Sequence, residues 1–195
     1  MNTNEEINTA CQQCQLNNGS VDQGKRQTIK WVSMGGLTML PFMSAQAQSD
    51  AAPIYLVDAD AETDFKPLRP ADLAIGKPML VFPFDSKSGK PKNETRMNKL
   101  VVIRLPEDQM TPETRARCAS GVLAYSGICT HQSCEVKTWI SKENALACFC
   151  HASKFALLDS AKVVGGPAPR PLPAIPLAMN GEFLSVVASS PAIQG

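Results

Sequence analysis

Two short segments hold the chemistry of this 195-residue chain: Cys129-Thr130-His131-Gln132-Ser133-Cys134, and Cys148-Phe149-Cys150-His151-Ala152-Ser153-Lys154-Phe155. The chain has only two histidines, and both lie inside these segments. Each segment offers one thiolate and one imidazole, C-x-H in the first and C-x-x-H in the second, at a spacing that lets a tight loop aim both at one metal centre. Each also carries an additional cysteine, Cys134 and Cys150. Two cysteines and two histidines could hold zinc, but a zinc site needs no further cysteine in each loop and no downstream Gly-Pro-rich segment. Two ordinary disulfides would leave both histidines without a role.

The pattern resembles the Rieske iron-sulfur family, in which two cysteines hold one iron and two histidines replace thiolates on the other. The resemblance runs from about Gly121 to Leu177 and includes Gly165-Gly166-Pro167-Ala168-Pro169-Arg170-Pro171. It implies one 2Fe-2S cluster, with Cys129 and Cys148 on the inner iron and His131 and His151 on the outer one. It further implies the disulfide of the high-potential branch, between Cys134 and Cys150. Gly166, Pro167 and Pro169 would belong to a stiff loop covering one side of the cluster, since proline fixes φ. Neutral imidazoles make such a cluster less negative, so it accepts an electron more readily, at roughly −150 to +300 mV.

Neighbouring residues would tune that potential through hydrogen bonds to the cluster sulfurs. Ser153 matches the family serine that donates to a bridging sulfide. Phe155 replaces the tyrosine that quinol-oxidising members usually carry, which removes one donor and predicts a lower potential. Gln132-Ser133 stands in place of the frequent Leu-Gly, and Phe149 and Ala152 flank Cys150-His151 where the family often has proline and glycine. A polar Gln132 at the docking surface favours a partner other than a quinol site.

Towards the N-terminus, Lys25-Arg26-Gln27-Thr28-Ile29-Lys30 precedes an apolar stretch from Trp31 to Met43 and then Ser44-Ala45-Gln46-Ala47. The small-residue ending has the form of a cleavage site, and the whole resembles a twin-arginine export signal with lysine in the first basic position. Thirteen residues fall short of the roughly 20 that span a bilayer. The expectation is therefore a cleaved signal over 1–47 and a periplasmic, non-spanning domain over 48–195. This layout resembles the small subunit of arsenite oxidase, with the iron-sulfur subunit of a cytochrome bc complex as the alternative. Either reading implies a larger catalytic subunit or cytochrome complex as partner, and a cytochrome c or cupredoxin as electron acceptor. A self-contained oxygenase needs a second iron site with histidines of its own, and none remains. Cys11 and Cys14 form a C-x-x-C read as incidental, and Cys118 is expected to be a buried free thiol.

A formal net charge of +1 excludes the basic field that recruits nucleic acid. About 148 residues after the signal make one domain. Short β-branched or apolar runs predict strands at Leu100 to Leu105, Val122 to Tyr125, Ala145 to Phe149, Ala161 to Val164 and Phe183 to Val187. Fifteen prolines and no long helical periodicity predict an all-β fold, with one short helix over Thr111 to Arg117 begun by Thr111 and Pro112. Asp58, Asp60, Glu62 and Asp64, and Lys87, Lys90, Lys92 and Lys99, are expected on solvated loops. The family resemblance implies an antiparallel β-sandwich-like base with a small cluster-binding subdomain inserted at about 126–171.

Overall fold

The computed structural model describes residues 52–187. The segment expected to be an export signal, its expected cleavage site, Cys11 and Cys14 lie outside the described residues.

The chain is all-β. Its strands are β1 (Ile54–Asp58), β2 (Met79–Asp85), β3 (Lys90–Pro91), β4 (Leu100–Arg104), β5 (Val122–Ser126), β6 (Thr138–Ile140), β7 (Ala145–Cys148), β8 (Ser153–Ala156), β9 (Lys162–Gly165), β10 (Ala174–Ile175), β11 (Leu177–Asn180) and β12 (Phe183–Val186). The larger sheet runs β10-β5-β4-β2-β1-β12-β11, with β3 paired to β2. The smaller runs β6-β7-β8-β9. Every strand pair in both sheets is antiparallel.

The centre of the large sheet explains where the small one sits. Leu100, Val101, Val102 and Ile103 of β4 are all buried, as are Val122 to Tyr125 of β5, so both faces of these strands are covered. Strand geometry sends alternate residues to opposite faces. Leu100, Val102, Val122 and Ala124 pack with Leu56, Val81, Ile175 and Leu184 of the base. Val101, Ile103, Leu123 and Tyr125 pack instead with Leu146, Phe155, Leu157, Cys129 and Cys148. The small sheet thus rests on one face of β4 and β5, and the cysteines of both motifs share its core.

Chain connectivity agrees with this packing. Strands β5 and β10 are neighbours, with Ala174 opposite Tyr125, and all four strands of the small sheet lie between them in sequence. Buried Tyr125 donates its hydroxyl to the Leu157 carbonyl at 2.8 Å, fastening base to small sheet. The Ser160 N–H donates to Thr114 Oγ1 at 2.8 Å, a second fastening.

Several strands escape the sequence reading. Strand β2 contains Pro83, which argues against an interior strand, yet β2 pairs with β4 only over Met79 to Val81, short of the proline. The short helix forms as Pro112–Arg115, with Thr111 Oγ1 accepting from the Thr114 N–H at 3.4 Å. Cys118 is free but only half-buried, a correction to the expected buried thiol. Lys99 is no solvated loop residue: it is half-buried, ion-paired with Glu135, and lies 5.7 Å from the centroid of the Phe82 ring.

Candidate metal centre

The first loop is closed by its own backbone. Cys129 N–H donates to the Cys134 carbonyl at 2.7 Å, Ser133 N–H to the Cys129 carbonyl at 3.0 Å, and Val136 N–H to the Gly127 carbonyl at 2.9 Å. Ser133 must adopt φ 57° to complete the turn. The second loop is the hairpin between β7 and β8, with Cys148 opposite Ser153, and Ala152 likewise sits at φ 57°. These are positions where glycine would be unstrained. A disulfide between Cys134 and Cys150 joins the two loops.

This closure brings the four predicted ligands to one end of the small sheet in an ordered gradient. Cys129 and Cys148 are buried, His131 is half-buried and His151 is exposed. The imidazole rings stand edge to face with centroids 4.7 Å apart. Burial pushes the Cys148 thiol above its ordinary value, and the backbone N–H groups of Cys150 and His151, aimed at its sulfur, oppose that. The Cys129 thiol beside it adds to the upward push. Among the described residues, the sulfurs of Cys134, Cys148 and Cys150 lie within 4.8 Å of one another. Two of those three are consumed by the disulfide and offer no thiolate, leaving Cys148.

Two buried side-chain atoms have no hydrogen-bond partner among the described residues: His131 Nδ1 and Ser153 Oγ. Native proteins satisfy nearly all such atoms. A buried ring nitrogen and a buried hydroxyl on the residue opposite Cys148, both without partners, suit an iron-sulfur group held by thiolates and imidazoles, so the residues fit the group.

The third loop follows β9 and locks onto both others. A β-carbon on Gly166 would stand 2.5 Å from the Ala152 carbonyl oxygen, so only glycine permits this approach to the second loop. The Thr130 hydroxyl donates to the Arg170 carbonyl at 2.7 Å, which ties the same loop to the first. Pro167 and Pro169 are exposed, and it is Ala168 between them that enters the core. Phe155 is fully buried in the core that holds Cys129 and Cys148, and Gln132 is exposed.

The sequence reading misses the contacts that mount the first loop on the base. Arg96 donates from Nη1 to the Ser133 carbonyl at 3.0 Å, and Lys99 pairs with Glu135. Neither lies near the motif in sequence, and no local pattern marks them. A hollow of about 610 Å³ opens on the base among Asp58, Asp64, Lys66, Arg69 and Asp72, and no residue of the three loops lines it.

An antiparallel β-fold carrying paired cysteine-histidine loops joined by a disulfide defines a class of iron-sulfur protein in which thiolates and imidazoles divide the ligation. The model of the Rieske [2Fe-2S] domain matches residues 78–176, just over half of the chain, and the chain belongs to that family. The cofactor of this chain is accordingly a 2Fe-2S cluster. The chain is 29% identical over 176 residues to the cytochrome bc1 complex Rieske iron-sulfur subunit of Streptomyces coelicolor, covering 82% of this chain and 49% of the relative. The chain therefore spans about half the length of that protein. A Haloferax mediterranei protein, provisionally named as the Rieske subunit of a respiratory nitrate reductase, is 35% identical over 66% of this chain and 54% of its own. Among solved structures, the soluble domain of Rieske protein II from Sulfolobus acidocaldarius aligns with TM-score 0.36 at 22% identity, over 46% of this chain and 61% of that one.

Proposed function

We propose that this chain is an exported one-electron carrier, the small iron-sulfur subunit of a periplasmic oxidoreductase whose substrate site lies on another chain. The carrying observation is the gradient from buried Cys129 and Cys148 to exposed His151, with His131 Nδ1 buried and unpartnered. In this reading Cys129 and Cys148 hold one iron and His131 and His151 the other. When bound, the cluster supplies one-electron chemistry at a potential above that of all-thiolate centres.

The chain's own residues do the rest. The buried cysteines keep water from the sulfur side, while the His151 ring gives an electron and a ring proton a route to the surface. The Ser153 hydroxyl, buried and without a partner among the described residues, would be free to donate to the cluster, and Cys150 and His151 aim backbone N–H groups at Cys148.

Two parent complexes stand behind this role. The exposed, polar Gln132 and the absence of a hydroxyl at Phe155 depart from quinol-oxidising members and favour an arsenite-oxidase-type small subunit. The names of the bc1 relatives favour the alternative, a quinol-cytochrome c reductase subunit. Purification with the native partner, mass spectrometry of the complex and an electron paramagnetic resonance spectrum of the reduced protein test the proposal. A co-purifying catalytic subunit separates the two complexes. A reduced spectrum without the signal of a mixed nitrogen- and sulfur-ligated centre ends the electron-carrier reading.

A further inference from the structure

Phe149 is 79% exposed although both its neighbours are held fast, Cys148 buried in β7 and Cys150 in the disulfide. An aromatic ring presented to water on a rigid backbone is the kind of group that dominates binding when it enters a partner's pocket, and it loses little conformational freedom in doing so. Around it, residues 127–134, 149–153 and 165–173 contain no aspartate or glutamate and a single formal charge, Arg170. Arg96, exposed on the base, adds a second cation where its guanidinium meets the Ser133 carbonyl. Bordering carboxylates are largely neutralised: Glu135 by Lys99 and Glu143 by Lys154. Glu94, exposed and two residues before Arg96, is the remaining acid in that part of the sequence.

Resting on the electron-carrier reading above, we propose that the end of the molecule bearing His151 docks a redox protein whose contact face is an apolar hollow rimmed by carboxylates, with Phe149 as the anchor and Arg96 and Arg170 as the steering charges. Complementary charge accelerates encounter and excludes partners of the same sign, so a lysine-rimmed acceptor is disfavoured. A single anchor with few charges suits the small, transient interfaces of electron-transfer encounters.

The test uses the cluster-loaded protein with two probes, a c-type cytochrome with an acidic haem face and one with a lysine-rich haem face. In stopped flow, one electron leaves the reduced protein and reduces ferric haem. Titration calorimetry of the oxidised pair gives the affinity. The expected result is faster transfer to the acidic-faced cytochrome, slowed by salt, with Phe149→Ala and Arg170→Glu each weakening affinity and second-order rate by about tenfold while the cluster's paramagnetic resonance signal persists. Equal rates for both probes, preference for the lysine-rich one, or indifference to both substitutions overturns the proposal. A homodimer in light scattering that Phe149→Ala dissociates overturns it in favour of a second copy as occupant. A wild-type protein without the cluster signal overturns the electron-carrier reading first and the docking proposal with it, so the two failures are told apart.

Discussion

Gly166 packs so tightly against Ser153 that a β-carbon would stand 2.4 Å from the Ser153 Cα, and its φ of +77° lies in the left-handed region. Both constraints point the same way. Gly166→Ala must push the third loop off the second, exposing the sulfur side of the site. We expect a loss of about 2–3 kcal/mol of stability and a fall in iron per chain, read by thermal unfolding and metal analysis.

Ser153 and Phe155 lie two residues apart on β8, which places both on the face packed into the core of Cys129 and Cys148. A hydrogen bond to a cluster sulfur stabilises the more negative, reduced form. Ser153→Ala therefore lowers the midpoint by about 1 kcal/mol, a few tens of millivolts for one electron. Phe155→Tyr raises it by a similar amount, provided the added hydroxyl reaches a ligand sulfur. A redox titration in which Phe155→Tyr leaves the midpoint unmoved would count against the tuning role given to this position.

The Cys134–Cys150 bridge closes a loop with a sequence separation of 16 residues. A cross-link of that span constrains the unfolded chain by about 3 kcal/mol in the chain-entropy account. Cys150→Ser should lower the unfolding temperature by the corresponding amount. Because the bridge joins the two ligand-bearing loops, the variant should also release iron faster to a chelator. Unchanged release kinetics would show that the hydrogen bonds within the loops suffice to hold them.

Lys99 and Glu135 join β4 to the end of the first loop, with side chains 19% and 34% exposed. The hydrogen bond and charge of Lys99 hold the Glu135 carboxyl below its ordinary value of 4.5. A group whose value is lowered by folding stabilises the folded form above its ordinary value. That contribution is lost as pH falls through the lowered one. Wild type and Lys99→Met should therefore differ by about 0.5–1 kcal/mol at pH 7, a modest figure because water screens the pair, and converge below pH 4.5 as Glu135 protonates. Denaturant titrations at a series of pH values measure the difference.

The strands legible from sequence are those whose apolar runs are self-contained: β4, β5, β7 and β12 fall within a residue of the expected spans, and β9 is displaced by one because Ala161 turns at φ 52°. Strands β6, β8 and β11 carry no comparable run, β2 hides behind Pro83, and β1 goes unread although Ile54-Tyr55-Leu56-Val57 is a run of the same kind. Their pairing is decided by partners far along the chain, such as Ile54 with Val186.

The site divides the same way. Residue type and short-range spacing determined the chemistry available, because a thiolate and an imidazole two or three residues apart reach one centre only from a tight loop, and no histidine exists elsewhere to offer an alternative. Packing decided the orientation of that chemistry. Which sulfurs are buried, which ring faces water, why Gly166 cannot be another residue, and how Arg96 reaches Ser133 across 37 positions all depend on laying the small sheet against β4 and β5. Contacts at such separations are made by burial and chain topology, and no local pattern encodes them.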